Sequence, residues 1–510
     1  MKQMKVVLGL APLALCAVTA IGNACHLQER QTQSGVRADY THIVSTGPDA
    51  YGSNTWWSDQ DAAVWQTRWG ELRPSYLRLF ISHAVIEPEN DNADPENVDW
   101  SRFWFDQPIS IPSVTTRTIT YREWLTALRD SPGGNEHILI HFSYLSPWLS
   151  DNPPHSSAQN PIPIAPYPPN DLDEYREFVE TALRFIVEVV EFPPQRVAIE
   201  AMNEPDLACG ADPVTPCFWQ NWEMADIADL VRVTHQAIQA VDARITLVGL
   251  AECCGTAVVR DLLDHYPEGA YLEGLSYHYY AGEYNLDVAL NRAATLRPYG
   301  LPIYLDEYGS RTYLSEGVEG ALWHSWALAT LWQAEIAPIQ YPISEWILLG
   351  EPYTQMGLFA DWRGDWERKP SYWVYANFFR FFGGGAVISH TAPAGLDVLV
   401  SRRIGTGTEP GSGMGAAEAA FWVVNRTETL FADQLFTLNG FPTTGALLRM
   451  YDNLVAPTPV WTKTVSGVPL VFTATLPARS SRVFVLQADP QTNLPLALCL
   501  PVVLRHWKRG

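Results

Sequence analysis

The order of hydrophobic and polar positions divides the chain into two regions. From Tyr40 to residue 383, short apolar runs typical of strands alternate with longer runs in which apolar residues have helical spacing. The strand-like runs are residues 41–45, 76–81, 138–142, 197–202, 245–250, 274–279, 302–307 and 339–346. The helix-like runs are residues 59–72, 121–129, 171–190, 221–241, 256–265, 286–296, 316–335 and 369–382. This alternation predicts an α/β fold, a (β/α)8 TIM barrel.

The pattern changes after Gly383-Gly384-Gly385, which ends the last predicted helix and marks a domain boundary. Six short strand-like runs follow, separated by Gly, Pro and Asn turns, at residues 396–401, 419–424, 433–438, 446–451, 470–475 and 481–486. They predict a small antiparallel β-sandwich over residues 384–489. The final residues, 490–510, form an apolar tail with a basic end that is too short to span a bilayer as a helix.

The N-terminus has the pattern of an export signal. Lys2 and Lys5 precede an apolar run over residues 6–20, and small residues follow it, so residues 1–24 are predicted to be a cleaved signal peptide. Residues 25–37 are then a mobile tether, and the barrel occupies residues 38–383. We expect a secreted or cell-surface protein, with Cys25 or the C-terminal tail as alternative points of surface attachment.

Composition excludes several classes of partner. The net charge of −22 over 510 residues argues against binding to nucleic acid or to an anionic membrane, since either requires a basic face. The 20 Trp and 22 Tyr residues suit stacking on sugars as well as filling a core. No sequence spacing indicates a zinc site or an organic cofactor, and we predict none, although a structural calcium in the acid-rich loop 87–99 stays open.

Four cysteines lie in the loops that follow two neighbouring predicted strands. In an oxidising compartment these thiols are expected to form local disulfide bridges rather than a redox centre. The pairing is left open among Cys209, Cys217, Cys253 and Cys254.

Two carboxylates stand at strand ends. The fourth predicted strand ends at Asn203-Glu204, and the seventh ends at Glu307. Period-two alternation places Glu307 on the same face as Leu305, with Asp306 pointing the other way. Because the chemistry of a TIM barrel lies at the C-terminal ends of its strands, we expect both glutamates at the barrel mouth. A glycosidase needs two carboxyl groups placed in this way.

At these positions the chain resembles the retaining glycoside hydrolases of clan A. Asn203-Glu204-Pro205 is similar to the acid/base motif on their fourth strand, and Asp306-Glu307-Tyr308-Gly309 is similar to the nucleophile motif on their seventh. The resemblance extends to Arg78 on the second strand, to His278 and Tyr280 on the sixth, and to Trp346 on the eighth. Trp148 and the C-terminal sandwich look most like families 30, 39 and 51, while Arg78 and the His-x-Tyr pattern are also similar to family 5.

Roles follow from chemistry with this resemblance as support. Glu307 is expected to be ionised and to attack the anomeric carbon, and Glu204 to donate a proton and then act as a base toward water. Asn203 is expected to bind a sugar hydroxyl. Arg78 and Tyr280 are expected to orient Glu307, although Arg78 has the alternative of an ion pair with Glu87.

The remaining candidates have structural alternatives. His141 is interpreted as a supporting residue more readily than as a catalytic one, whereas His278 is placed at a strand end beside Tyr280. Trp148 and Trp346 either stack on sugar or fill the core. Glu345 is a candidate sugar-binding acid and, with Glu200, a competitor for the catalytic roles.

The sequence therefore predicts a secreted retaining β-glycoside hydrolase. Its partner is a carbohydrate, and it cleaves β-linked poly- or oligosaccharides through a glycosyl-enzyme intermediate. Two alternatives remain at this point: a non-catalytic carbohydrate-binding or scaffold protein on a barrel, and a transglycosylase that uses the same residues.

Overall fold

A computed structural model describes residues 35–55, 63–108, 119–131, 136–151, 165–207, 219, 221–315, 317–341, 355–360, 362–404, 417–455 and 458–489. Its strands are β1 (Val36–Ser45), β2 (Gly52–Thr55), β3 (Tyr76–Ser82), β4 (His137–Ser143), β5 (Val197–Glu200), β6 (Thr246–Glu252), β7 (Gly274–Ala281), β8 (Ile303–Ser310), β9 (Ala337–Gln340), β10 (Ala386–Thr391), β11 (Leu396–Ile404), β12 (Ala417–Asn425), β13 (Phe431–Asn439), β14 (Gly445–Asp452), β15 (Trp461–Ser466), β16 (Leu470–Leu476) and β17 (Ser480–Ala488).

The α-helices are α1 (Ala63–Leu72), α2 (His83–Ile86), α3 (Tyr121–Arg129), α4 (Leu172–Arg184), α5 (Met224–Val241), α6 (Ala257–His265), α7 (Asp287–Leu296), α8 (Val318–Gln333) and α9 (Pro370–Phe382). A π-helical turn, Phe185–Val189, extends α4. Local sequence explains the clearest of these boundaries. The Thr120 side chain accepts from the backbone of Glu123, whose own side chain accepts from the Thr120 backbone, and this capping box starts α3 where the helical period begins.

Strands β2 to β9 form a closed parallel barrel in chain order. The closure is made by β2, which pairs with β3 on one side and with β9 on the other. Helices alternate with these strands along the chain, so the predicted (β/α)8 fold is confirmed. The strands read as near-continuous apolar runs because a parallel sheet in this fold is covered on both faces.

Side chains alternate between the inside of the barrel and the surrounding helices. On β3, Leu77 and Leu79 belong to the large core beneath the helices, whereas Arg78 points into the barrel. The lower interior is filled by a separate apolar cluster, which includes Leu139, Ala198, Val248, Tyr304 and Ile339. This cluster forms an apolar floor, and the polar side chains around Arg78 lie above it.

The first barrel strand is not where the hydrophobic pattern placed it. Residues 41–45 were predicted as that strand, but they belong to β1, which pairs with β10 and β13 of the other sheet. The first barrel strand is β2, with the sequence Gly52-Ser-Asn-Thr55. The prediction failed because this short strand contains no large apolar residue, while β1 has the alternating pattern of a strand in either sheet.

The second sheet has nine strands in the order β15-β14-β17-β12-β11-β10-β1-β13-β16. All neighbouring pairs are antiparallel except β1 and β13. Apolar side chains from every one of these strands meet in one cluster, in which Phe436 stacks on Phe472 at 4.8 Å and Phe421 contacts both edge-on. The sheet therefore encloses its own core, as the predicted β-sandwich requires.

The outer face of this sheet packs on the barrel. Trp422 lies against the rings of Phe378 and Phe382 in α9, and its Nε1 donates to the Ser325 carbonyl of α8 at 2.9 Å. The hydroxyls of Ser325 and Ser481 are 2.5 Å apart. These two hydrogen bonds, set within an apolar contact, fix the sandwich against α8. Helix α8 is buried along almost its whole length.

Within the described residues, no helix has both the length and the apolar character needed to cross a bilayer. Residues 1–34 and 490–510 lie outside the described part of the chain. The signal peptide, the attachment through Cys25 and the role of the tail therefore stay predictions.

Candidate active site

Glu204 is held at the end of β5 by a strained backbone. The chain leaves the strand through Asn203, which forms a β-bridge with Ala251, and the Glu204 amide donates to the Ala251 carbonyl at 2.7 Å. Glu204 has a φ of +52°, in the left-handed region that non-glycine residues rarely adopt. Such a conformation costs about 1–3 kcal/mol and persists where neighbours enforce it, which is common at functional sites. Here it turns the Glu204 side chain toward the barrel axis.

A β-bulge reorients the end of β8. Along β7 the paired residues step from Tyr277 to His278, while along β8 they step from Leu305 to Glu307, so Asp306 is an extra residue. The prediction that Glu307 shares a face with Leu305 was therefore wrong. Leu305 packs in the outer core, whereas Asp306 and Glu307 both face the barrel interior. A bulge re-aims side chains in this way, and strict period-two counting does not anticipate it.

Arg78 is the hub of the interior layer. Its Nη1 donates to Glu307 Oε1 at 2.6 Å and to Asn54 Oδ1 at 3.0 Å. Its Nε donates to Glu200 Oε2 at 2.9 Å, and Nη2 donates to the same oxygen and, at 2.6 Å, to Asn203 Oδ1. The proposed alternative partner, Glu87, instead forms a hydrogen bond with His83, with 3.2 Å between Glu87 Oε2 and His83 Nε2. Arg78 is completely buried, and its charge is balanced inside the barrel.

Glu307 is bound through both oxygens. Arg78 occupies Oε1, and the Tyr280 hydroxyl donates to Oε2 at 2.8 Å. Burial and the neighbouring Glu307 charge raise the pKa of Tyr280 well above its usual value, so the phenol stays protonated and remains a donor. These two hydrogen bonds fix the plane of the Glu307 carboxyl group.

Glu204 and Glu307 meet at His278. The Nδ1 atom of His278 lies 3.0 Å from Glu204 Oε1 and 3.5 Å from Glu307 Oε2. One oxygen of each carboxyl group and the imidazole nitrogen all lie within 4.8 Å of one another. The two glutamates that the sequence singled out are therefore brought together at the C-terminal ends of the strands, as predicted.

This trio also has the donor atoms of a metal site, but its surroundings suit an organic ligand better. Both Glu307 oxygens already accept hydrogen bonds, and the Arg78 guanidinium lies 2.6 Å from one of them. A cation placed here would face the Arg78 charge at close range in a buried setting. The arrangement instead places one carboxyl group, held through both oxygens, beside a second carboxyl group.

Below this pair, a second pair of carboxyl groups, Glu200 and Asp306, has pKa values shifted in opposite directions. The Arg78 charge holds the pKa of Glu200 at about 2 against the opposing effect of burial. Burial and the negative charge of Glu200 raise the pKa of Asp306 well above its usual range. The Arg78 charge therefore favours the carboxylate form of Glu200, whose Oε1 also accepts from Ser276 at 2.9 Å, while burial beside Glu200 favours the protonated form of Asp306. Glu200, weighed as a catalytic competitor, thus has a supporting position.

His141 and Trp148 occupy supporting positions. His141 is fully buried on β4, next to Glu200 in the barrel pairing, and within the described residues neither ring nitrogen has a hydrogen-bond partner. Burial lowers its pKa to about 3, so the ring is neutral. Trp148 is half-buried, and its Nε1 donates to the Glu87 carbonyl at 3.0 Å.

Several predicted site residues lie outside the described chain. Glu345 and Trp346 are among them, as are Cys209 and Cys217, so their placements stay predictions. Cys253 and Cys254 are free thiols whose Sγ atoms are 2.7 Å apart, in the loop after β6. Their backbone amides both donate to the Asp206 carboxylate at 2.8 Å, which ties this loop to the one that carries Glu204.

Sequence reasoning missed Asn54, Ser276 and Tyr144. Asn54 lies on the unrecognised strand β2, where its Nδ2 donates to the Asp306 carbonyl at 2.6 Å. Tyr144 follows β4 with a φ of +55°, and burial together with the charges of Glu204 and Glu307 raises its pKa. The sequence around Tyr144, Ser-Tyr-Leu, gives no signal that this residue lies near the two glutamates. Asn54 could have been found, because it is a polar residue near the end of a strand.

The barrel, the sandwich and the position of the site define a fold class, that of a (β/α)8 barrel followed by a β-sandwich. No family model and no curated protein sequence matches the chain. Many solved structures do match, and among them are family 30 and family 39 enzymes, which confirms for the fold the resemblance expected from the motifs.

Three of these structures show the extent of the likeness. A glucosidase from Croceicoccus marinus is 12% identical with a TM-score of 0.63, over 89% of this chain and 98% of its own. A family 30 endoxylanase from Clostridium papyrosolvens is 14% identical with a TM-score of 0.58, over 89% of this chain and all of its own. A family 39 enzyme from Xanthomonas axonopodis pv. citri is 14% identical with a TM-score of 0.60, over 91% of this chain and 100% of its own. At such identities the likeness concerns the fold.

Proposed function

We propose that this protein is a secreted retaining β-glycoside hydrolase, with Glu307 as the nucleophile and Glu204 as the acid/base. The observation that carries the proposal is the proximity of these two carboxyl groups at the barrel mouth, with oxygens within 4.8 Å of each other. Retaining glycosidases place their carboxyl groups about 5–5.5 Å apart, whereas inverting enzymes leave about 6.5–9.5 Å for a water molecule.

The surroundings divide the two roles. Glu307 accepts from Arg78 and Tyr280, so it is the group prepared to carry negative charge and attack the anomeric carbon. Glu204 has only His278 as a side-chain neighbour at hydrogen-bond distance among the described residues, and its side chain is 16% exposed, against 8% for Glu307. It is therefore the group that can reach a leaving oxygen at the mouth.

The reaction then proceeds in two balanced steps. Glu307 Oε2 or Oε1 forms a bond to the anomeric carbon while the glycosidic bond breaks, and Glu204 transfers its proton to the departing oxygen. Glu204 next removes a proton from water, whose oxygen displaces Glu307 and restores the carboxylate. The Oδ1 atom of Asn203 is engaged by Arg78, which leaves its Nδ2 group as the donor for a sugar hydroxyl.

The substrate class rests on fold likeness together with the site. Structures with this fold include a glucosidase, endoxylanases and β-xylosidases. We infer that the substrate of this chain is a β-linked poly- or oligosaccharide. A panel of aryl β-glucosides, aryl β-xylosides and β-linked polysaccharides tests this assignment.

The catalytic roles are tested with Glu204→Ala and Glu307→Ala in the presence of azide. If the roles are as proposed, both variants lose at least about 10³-fold in kcat on aryl glycosides. Azide restores turnover in both, with a β-glycosyl azide from Glu204→Ala and an α-glycosyl azide from Glu307→Ala. Glu283→Gln, an exposed glutamate in the loop after β7, serves as the matched control and retains full activity.

Opposite products of azide rescue would reverse the two roles. Activity that survives either substitution would remove that glutamate from the mechanism. A wild-type protein that binds the polysaccharides but cleaves none of the panel would favour a carbohydrate-binding barrel instead.

A further inference from the structure

Three acidic side chains converge at a place that the proposed reaction does not use. Asp91 lies in the loop that follows α2, and Glu174 and Glu177 lie three residues apart on α4, so they share one face of that helix. One carboxylate oxygen from each residue lies within 4.8 Å of the other two. Glu174 and Glu177 are only 5% and 3% exposed.

Four buried oxygens of this cluster have no hydrogen-bond donor from outside it among the described residues. Both oxygens of Glu177 are buried without a hydrogen bond, as are Glu174 Oε2 and Asp91 Oδ1. The nearest basic residue on the same helix, Arg176, points to another side and pairs with Glu96 at 2.7 Å and Glu180 at 3.4 Å. Buried acceptors that face one another without a donor are destabilising, so the cluster requires either protons or a cation.

We propose that Asp91, Glu174 and Glu177 form a calcium-binding site. The donor set consists of carboxylate oxygens alone, which suits a hard cation and not zinc, whose sites are rich in nitrogen and sulfur. Carboxylates that bind through one or two oxygens can supply most of the six to eight ligands that Ca²⁺ takes. Mg²⁺ keeps several waters in a strict octahedron, and the burial of Glu174 and Glu177 leaves little room for them.

A cation at this position would link two separate parts of the barrel. Asp91 Oδ2 accepts from the Asp99 amide at 2.5 Å, which closes the loop 91–99, and the two glutamates anchor that loop to α4. The Glu87 carbonyl, four residues before Asp91, accepts from Trp148 Nε1 at 3.0 Å. The site is thus a structural brace at the side of the barrel mouth, and it stands independently of the catalytic proposal.

The test uses the full exported chain after treatment with EDTA. Calorimetric titration with CaCl₂ is carried out at pH 8, and thermal unfolding is followed with and without Ca²⁺ or Mg²⁺. Glu177→Gln removes the central ligand. Asp173→Asn makes the same change of charge one residue before Glu174, at a side chain that is 73% exposed, and is the matched control.

Under the proposal, Ca²⁺ binds to the wild type and to Asp173→Asn and raises the Tm of both by several degrees. Glu177→Gln shows no Ca²⁺ effect, and its metal-free Tm is equal to or above that of the wild type because repulsion is relieved. A wild type that fails to bind Ca²⁺, or a Glu177→Gln variant that responds as the wild type does, would overturn the site. An equal response to Mg²⁺ would overturn the assignment to calcium.

Discussion

Arg78 and Glu307 form the central ion pair of the site, with 2.6 Å between Nη1 and Oε1 at the top of a closed barrel. The same guanidinium also forms an ion pair with Glu200, and the side chains of Arg78 and Glu200 are completely buried. One cation thus neutralises a catalytic candidate above and a structural carboxylate below. This relationship explains why an arginine stands inside an otherwise apolar strand, and it governs the first prediction.

Replacing Arg78 by Lys is expected to damage both activity and stability. A lysine ammonium cannot reproduce the planar donors that reach Asn54, Glu200, Asn203 and Glu307 at once. We expect kcat/KM to fall at least about 10²-fold and the free energy of unfolding to fall by about 3 kcal/mol, because buried carboxylates lose their partner. Arg232→Lys, at an exposed pair with Asp229, is the control and should change neither quantity. Enzyme kinetics measure kcat/KM, and urea unfolding measures the free energy of unfolding. An Arg78→Lys variant with wild-type values of both would contradict the central role of Arg78.

Replacing Tyr280 by Phe tests the second donor to Glu307. Loss of the hydroxyl at 2.8 Å removes one hydrogen bond to the nucleophile and leaves the ring in place. We expect kcat to fall by about 10–10²-fold with little change in Tm. Tyr279→Phe is the neighbouring control, since the Tyr279 side chain packs toward the outer core and not toward Glu307. If both variants behave alike, the Tyr280 hydroxyl has no special part in orienting Glu307.

The pair Asp306 and Glu200 predicts opposite responses to amide substitution. Asp306 is the protonated member of the pair, so Asp306→Asn keeps its charge state, and we expect stability within about 1 kcal/mol of the wild type. Glu200 is the ionised member, so Glu200→Gln leaves the Arg78 charge undercompensated and should cost about 3 kcal/mol. Denaturant unfolding of the two variants at pH 6 gives the comparison. Equal losses would mean that the proton is assigned to the wrong carboxyl group.

Glu252 predicts a dependence of stability on pH. It is fully buried, accepts from the amides of Val258 and Val259 at the start of α6, and has a pKa raised by burial to about 7 from an ordinary value of 4.5. Between these values the unfolded chain has released the proton that the folded chain keeps, so this group makes stability fall as pH rises. The loss is about 3 kcal/mol when complete above pH 7.

Glu252→Gln should therefore flatten the decline in the free energy of unfolding between pH 5 and pH 8. Its amide oxygen can still accept from α6, so the fold is retained. Glu283→Gln, at an exposed position, is the control and should follow the wild-type curve. A Glu252→Gln curve that is parallel to the wild type would show that Glu252 is ionised throughout this range.

Much of the architecture was predictable because it depends on residues that are close together in the sequence. The helix over residues 121–129 was predicted with its observed bounds, since amphipathic period and capping residues act over a few positions. Glu204 and Glu307 were recognised for a related reason: each ends an apolar run, and parallel strands in a barrel present their ends at one face.

Other features depended on contacts that form only when the barrel closes. The displacement of the first barrel strand to Gly52–Thr55, the bulge at Asp306 and the partners of Arg78 all involve residues far apart in sequence. Period and propensity describe one segment at a time, so they cannot state which neighbour will pair with it or where an extra residue will be accommodated.

The hydrophobic pattern along the chain was therefore enough to predict the kinds of elements, most of their order and the two carboxylates at strand ends. The closed fold alone turns both Asp306 and Glu307 inward, pairs Glu200 with Arg78 and brings Asp91 to Glu174 and Glu177. This division arises because local preferences act through neighbouring backbone atoms. The charge state and the partner of a buried group are set by whichever distant residues the closed fold brings within a few ångströms.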